Sequence, residues 1–384
     1  MYNTYITMSD ETTCAFVSSR GLLKSCKIRP NPPISSCATN TQYLKDFIVN
    51  QERYEIKYRD VSSKLDCIVK KTDNVFPVSI YVCCDALNMF IREIMPFIRI
   101  PFYLVCGDGD LTVFKEAVSH PNHFLMLVLC PYLHGFFSQN MDISVCRDFL
   151  IDKITKLWFA KAAAMRDENQ MKIPTTLQEA ISFYTGKLRQ IPIGMDYHTI
   201  YTNPNHRWRD RRFDKDGNVI GTSPKEQESI MVEIRRTMRP FYKREFKIYS
   251  NVMLCPDRYD DRATAVSTIP KRLLEQQTQF LPRTGTWLNM ANYSFVLSPF
   301  GNGMDCHRTW EALLCGCIPI VRTSVFRELF YGLPVLIVEE WCDITFELLT
   351  KTIQEFKEKH DNNEFQYERL QLSYYTKLFA AASN

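Results

Sequence analysis

A chain of 384 residues exceeds what one ordinary hydrophobic core serves, so its length predicts two domains of a little under 200 residues each. Apolar residues make up 45% of it and the formal charge is only +4, which fits packed globular domains and excludes the one-sided charge of a dedicated nucleic-acid binder. The fourteen cysteines are scattered rather than set in a small loop-rich scaffold, which predicts reduced thiols. Cys83-Cys84 and Cys315-x-Cys317 lie inside apolar runs as small buried hydrophobes, and no CxxC pair occurs.

The first thirty residues contain no long apolar stretch, and no later segment reaches the ~18 uncharged apolar residues of a membrane span. The expectation is a soluble, cytoplasmic protein with no transmembrane segment. Residues 1–75 are punctuated by Pro, Ser and Thr, notably IRPNPPISS at 28–36, and predict an irregular opening followed by short strands. VSIYVCCD then reads as a buried strand ending at Asp85, ALNMFIREIMPFI as an amphipathic helix, PFYLVCGDGD as a second strand running into an acidic glycine turn, and HFLMLVLCP as a third. Apolar strands separated by helical patterns imply parallel βαβ units.

Residues 148–188 read as largely helical, and IPIGMDY at 191–197 as a strand leaving a domain, with Asp196 near the hinge. The polar, basic stretch 203–226 follows as a hairpin or linker. Within it Asp214-x-Asp216-Gly217 superficially resembles a calcium loop, but the glycine is misplaced and no Glu closes the loop, so it is assigned to a turn. A second α/β series comes next: helix KEQESIMVEIRRTM, strand FKIYSNVML, helix TIPKRLLEQQTQFL, strand YSFVLSP, helix HRTWEALLC, strands CIPIV and LPVLIV, and charged helices from Phe346 onward. The expected architecture is α/β, two Rossmann-like domains facing across a cleft. Residues 1–198 form the first, 199–345 the second, and 346–384 are C-terminal helices packing on or crossing between them.

The chemistry concentrates in residues 293–321. An apolar strand runs into a loop carrying Gly301 and Gly303, and a helix begins near Asp305. Glycines let backbone N–H groups approach an anion, and a helix N-terminus adds partial positive charge, so a phosphate or diphosphate is favoured there. His307 and Arg308 on the first turn supply further donors. Glu311, one turn deeper on the face of His307, can accept hydrogen bonds from ribose hydroxyls. Together these match a nucleoside diphosphate sugar, and Gly316 ends the helix.

The run FVLSPxGxGxDxHRxxEALLxGCIPIV at 295–321 resembles the donor motif of exostosin-like glycosyltransferases, closest to those encoded by large algal DNA viruses. The likeness continues through LPVLIVEEW at 333–341 and more weakly at Arg262, IPIGMDY and CGDGD. This resemblance implies a GT-B fold with the donor in the C-terminal domain and the acceptor in the N-terminal one. It implies a glycosyltransferase, a hexosyl- or pentosyltransferase, that inverts and needs no metal. It carries over His307, Arg308 and Glu311 as donor-binding residues, with Arg262 as an additional phosphate-binding arginine and Arg258 its neighbouring competitor; Ser298, Gly301, Asn302, Gly303 and Asp305 of the same motif complete the donor-binding candidates.

The expected partners are a UDP- or GDP-sugar donor and a glycan or glycoprotein acceptor, with no nucleic acid. No cofactor is expected, and a divalent metal is not expected to be essential. Asp108-Gly109-Asp110 has the form of a metal-binding Asp-x-Asp, but it lies in the first domain, away from the donor motif. An inverting transfer needs a general base for the acceptor hydroxyl. Asp110, Asp108, Asp85 and His134 are the candidates in that order, being assigned to strand ends of the first domain. Two other readings compete with transfer. One is a non-catalytic nucleotide- or glycan-binding protein of the same fold. The other is nucleic-acid contact through Arg207, Arg209, Arg211 and Arg212 beside Trp208.

Overall fold

The computed structural model describes residues 11–30, 41–51, 77–118, 120–164, 176–203, 205–210, 217 and 222–379. Contacts divide the chain into two units, Ser25–Ile191 with Thr376–Asn384, and Met1–Lys24 with Pro192–Tyr375. The expected first domain of residues 1–198 therefore differs at both ends: the chain up to Lys24 belongs with the second unit, and the division falls after Ile191 rather than 198. At the other end, helix Phe346–Asp361 belongs to the second unit and residues from Thr376 to the first.

The first unit is built on four parallel strands in sequential order, β1 (Val78–Cys83), β2 (Phe102–Gly107), β3 (Leu133–Ser138) and β4 (Leu188–Gln190). β1 and β2 are apolar almost throughout because helices cover the sheet, so alternation is lost. Ile80, Leu104, Phe124, Phe136 and Leu150 meet in one core. The connection from β1 to β2 is helical, as expected, but changes pitch, from α at Leu87–Met89 through a π turn at Phe90–Ile94 to a 3-10 turn at Met95–Phe97.

The segment HFLMLVLCP is not a strand. Pro121 opens helix Pro121–Leu129, and the His120 ring accepts the Asn122 N–H as its cap. An eight-residue apolar run carries no periodicity that separates a buried helix from a buried strand. The third strand is the next apolar run, 133–138. The helical stretch is helix Ile143–Ala164 and helix Leu177–Thr185, the latter held by a Thr176/Glu179 capping box.

The second unit has five parallel strands in the order β6-β5-β7-β8-β9: β5 (Glu245–Ser250), β6 (Leu274–Gln276), β7 (Tyr293–Leu297), β8 (Ile318–Arg322) and β9 (Leu336–Val338). β6 lies on one side of β5 and β7 on the other, so strand order reverses at β5. Doubly wound sheets bind ligands outside the carboxyl ends of the strands at such a reversal. The segment TIPKRLLEQQTQFL, expected as a helix, is instead a turn followed by the edge strand β6. Helices Asp261–Thr268 and Arg283–Met290 flank it on either side.

The opening holds no named strand among the described residues up to 51; it contains a 3-10 turn at Glu11–Thr13 and helices Ser19–Ser25 and Gln42–Asn50. Isolated bridges join Phe16 to Gln371 and Ser18 to Gly194 and Met195, and the Glu228 carboxylate accepts the backbone N–H groups of Ala15 and Phe16. IPIGMDY is thus a bridged segment rather than a strand. IRPNPPISS from residue 31 onward, the Asp214–Asp216 turn, Arg211 and Arg212 lie outside the described residues. The twelve described cysteines are all free. Among the described residues no helix is long and apolar enough to cross a membrane.

Gly194 shows how closely the opening is packed. Its φ of +64° is left-handed, and a Cβ there would sit 2.3 Å from the Val17 carbonyl oxygen. Gly194→Ala is therefore expected to destabilise the fold by about 2 kcal/mol or more, measured as a lowered denaturant midpoint.

Candidate functional site

The junction after β7 is assembled from backbone outward. Ser298 extends the ladder by donating its N–H to the Ile320 carbonyl, and its hydroxyl shares a 2.9 Å hydrogen bond with Thr309. The Phe300 N–H donates to the Asp261 carboxylate at 2.8 Å, and the loop then tightens through a Gly301 N–H to Gly303 carbonyl bond. Glycine at 301 leaves room for the flexible end of Arg262, since a Cβ there would lie 2.8 Å from the guanidinium. The helix starts later than expected, at His307, with Cys306 as N-cap and no side chain capping it. First-turn amides thus face the loop without the usual Ser or Asp oxygen.

Two arginines reach this end of the helix. Arg308 donates Nε to the Asn251 side chain at 2.8 Å, and Asn251 is the first residue after β5. Arg262, on helix Asp261–Thr268, points Nη1 at the Cys255 sulfur 3.1 Å away, and its buried Nε has no hydrogen-bond partner. Both side chains therefore stand on the first turns of the helices that follow β5 and β7. Burial pulls the Arg308 guanidinium below its ordinary value, yet a guanidinium stays charged in a protein.

One turn deeper, Glu311 is buried and its Oε1 has no hydrogen bond. Its nearest cation is Arg283, with Nε 4.0 Å from Oε1. Arg283 in turn gives Nη2 to the Asp196 carboxylate at 2.9 Å and Nη1 to the Asp196 carbonyl. Burial alone would raise the Asp196 carboxyl, but Arg283, His307 and His198 hold it well below the usual carboxylate range. His307 donates Nδ1–H to the Gly194 carbonyl at 2.7 Å, which directs Nε2 away from that bond.

Two of the expected donor-binding residues are turned inward. Ser298 is 2% exposed and spent on Thr309. Asp305 is 3% exposed and accepts the Ile193 N–H at 2.7 Å and the Trp310 indole N–H at 2.8 Å. Both are struts of the loop rather than contacts for a ligand. Gly301, Gly303, exposed Asn302, His307, Arg308, Glu311 and Arg262 all lie in the second unit. Arg283, Asn251, Asp261 and the pairing role of Asp196 were not foreseen.

In the first unit Asp85, Asp108 and Asp110 follow the carboxyl ends of β1 and β2. Asp85 Oδ1 lies where a Cβ on Gly109 would meet it at 3.4 Å. The turn is fixed by Gln139, which accepts the Asp108 N–H, and by Asn140, which donates to the Gly109 carbonyl. Asp108 itself takes the left-handed φ of +58°. His134 does not join them. It is the second residue of β3, near the strand's amino end, roughly 15 Å along the strand direction from the carboxyl edge. The basic patch is also dispersed: the Arg207 guanidinium covers the Phe280 ring, Arg209 is buried, and Trp208 packs against Arg283.

No family model matches the chain, and no curated protein does. Among solved structures, Anabaena HepE in complex with UDP is similar at 11% identity and a TM-score of 0.35, over 90% of this chain and 80% of that one. That likeness is too distant to place the chain in a family, and no residue role is taken from it.

Two substitutions test this geometry. Gly301→Ala should push the mobile end of Arg262 aside and weaken pyrophosphate binding about tenfold by calorimetry, with thermal unfolding little changed. Asp305 tests the interior of the loop. Burial raises its carboxyl to about 6, against the hydrogen bonds from Ile193 and Trp310. The folded value lies above the unfolded one, so the contribution to stability is complete below about pH 4 and is lost as the pH rises through about 6. Relative to Asp305→Asn, the wild-type protein should therefore lose on the order of 2–3 kcal/mol between pH 4 and pH 7 in denaturant titrations.

Proposed function

We propose that this chain is a glycosyltransferase that moves a sugar from a UDP- or GDP-sugar to a glycan or glycoprotein acceptor, in the manner of the exostosin-like enzymes its donor motif resembles. The observation that carries the reading is the polarity of one helix. Its uncapped amino end meets Arg262 and Arg308, while one turn along it the buried Glu311 carboxylate presents an oxygen without a hydrogen bond. A cationic end suits a diphosphate and an acceptor carboxylate suits a ribose.

Glycosyl transfer builds negative charge on the departing diphosphate, and fixed cations and amide dipoles already aimed there lower the barrier without reorganising. Arg262, Arg308, the His307 ring and the first-turn amides are those groups. In this reading the charge is met by the protein's own residues and no metal is required. The acceptor hydroxyl must lose its proton as the bond forms. For an inverting reaction the base is a carboxylate of the Asp110, Asp108 and Asp85 group, with Asp110 first because CGDGD ends a buried strand in an acidic turn.

Incubation of the purified protein with labelled UDP- and GDP-sugars and a glycan panel should show transfer or slow donor hydrolysis. Glu311→Ala and Arg308→Ala should each lower the rate at least about 100-fold while thermal unfolding stays cooperative. Unchanged turnover in both variants overturns the site. Nucleotide binding without turnover on any acceptor would identify a binding protein of the same fold.

A further inference from the structure

Arg283 is 7% exposed, is the first residue of its helix, and has its backbone N–H bound to the Trp208 carbonyl at 2.7 Å. Its guanidinium lies 5.4 Å from the Trp208 ring and 6.0 Å from the Trp287 ring. Two of its three nitrogens are consumed by Asp196, and the third, Nε, faces Glu311 across 4.0 Å. Asp196 is itself tied down by the Thr199 N–H and by His198 Nδ1, each 3.1 Å away. Sequence pattern singles out Glu311 but not Arg283.

Resting on the donor reading above, we infer that Arg283 is the positioning residue for ribose recognition: it holds the Glu311 carboxylate aimed so that it accepts from the ribose hydroxyls. A carboxylate accepts at two oxygens, which matches the two vicinal hydroxyls of a ribose, provided its plane is held toward them. At 4.0 Å the guanidinium supplies charge without occupying Oε1 by a hydrogen bond, so the oxygen stays open to the ligand. The chain of support runs from Asp196 through Arg283 to Glu311. The tryptophan walls on Arg283 fix the guanidinium plane.

The test compares calorimetric binding of UDP and of 2′,3′-dideoxy-UDP, which lacks the hydroxyls, in wild-type, Glu311→Gln, Arg283→Lys and Arg283→Met proteins. Wild-type protein should prefer UDP by about tenfold or more. Glu311→Gln and Arg283→Met should both lose that preference while binding of the dideoxy analogue stays within about threefold, and Arg283→Lys should recover part of it. A merely structural arginine would weaken both ligands together. Equal loss for both ligands in Arg283→Met and Arg283→Lys overturns the inference, as does full preference in Arg283→Met when Glu311→Gln has lost it. Should Arg283→Met fail to fold, Arg283→Lys alone decides, because an unchanged preference or an equal weakening of both ligands there overturns the inference. Failure of the wild-type protein to bind UDP overturns this inference; if it binds neither UDP nor GDP, the donor reading falls as well.

Discussion

Charge removed from water has to be matched, and three aspartates in the second unit impose that requirement on the whole site. Asp261, 1% exposed, accepts the Phe300 N–H and the Trp341 indole N–H and pairs with Arg322 at 3.0 Å. Asp305 binds Ile193 and Trp310, and Asp196 binds Arg283. Each carboxylate joins elements distant in sequence. The glycine loop after β7 is therefore fastened to helix Asp261–Thr268, to the segment at 193–196 and to the region around Trp341. Without those ties a loop with two glycines would sample many conformations, and its amides would not converge on one point.

The same requirement explains why the working residues differ from the struts. Buried carboxylates that are fully hydrogen-bonded serve as fasteners. Glu311 is the exception, with Oε1 lacking a hydrogen bond and its nearest described cation, Arg283, at 4.0 Å. A buried acceptor without a hydrogen bond costs free energy. Arg262 shows the matching deficit on the cationic side, with a buried Nε lacking an acceptor.

Local pattern made part of this legible from sequence. The strand, glycine loop and helix at 293–314 are contiguous, so apolar periodicity and two glycines suffice to place them. Gly316 ends the helix in a left-handed φ of +72° as the pattern implied. The failures share a cause. HFLMLVLCP carries no period, and the strand assigned to it lies in the following run. TIPKRLLEQQTQFL has helical propensity, but pairing with β5 turns its middle into the edge strand β6. Arg283 follows a proline in what reads as a loop, and only the folded chain brings it to Glu311. Ser298 and Asp305 belong to the motif by spacing, but their orientation is set by Thr309, Ile193 and Trp310, which spacing does not reveal.

The Asp196–Arg283 pair is an ion pair removed from water. Replacing a buried pair by apolar residues of similar volume is often neutral or stabilising, whereas removing one partner strands the other. A pair retained at such a position acquires its value from what it orients. Here the guanidinium spends two nitrogens on Asp196 and is walled by two tryptophans, so its third nitrogen has one direction left, toward Glu311. Asp196 stands two residues after Gly194, whose carbonyl takes the His307 Nδ1 proton. One short segment thereby sets the tautomer of the His307 ring and, through Arg283, the position of the cation beside the Glu311 carboxylate. Packing of Gly194 against Val17 ties that segment to the beginning of the chain, which is why residues before Lys24 belong with this unit.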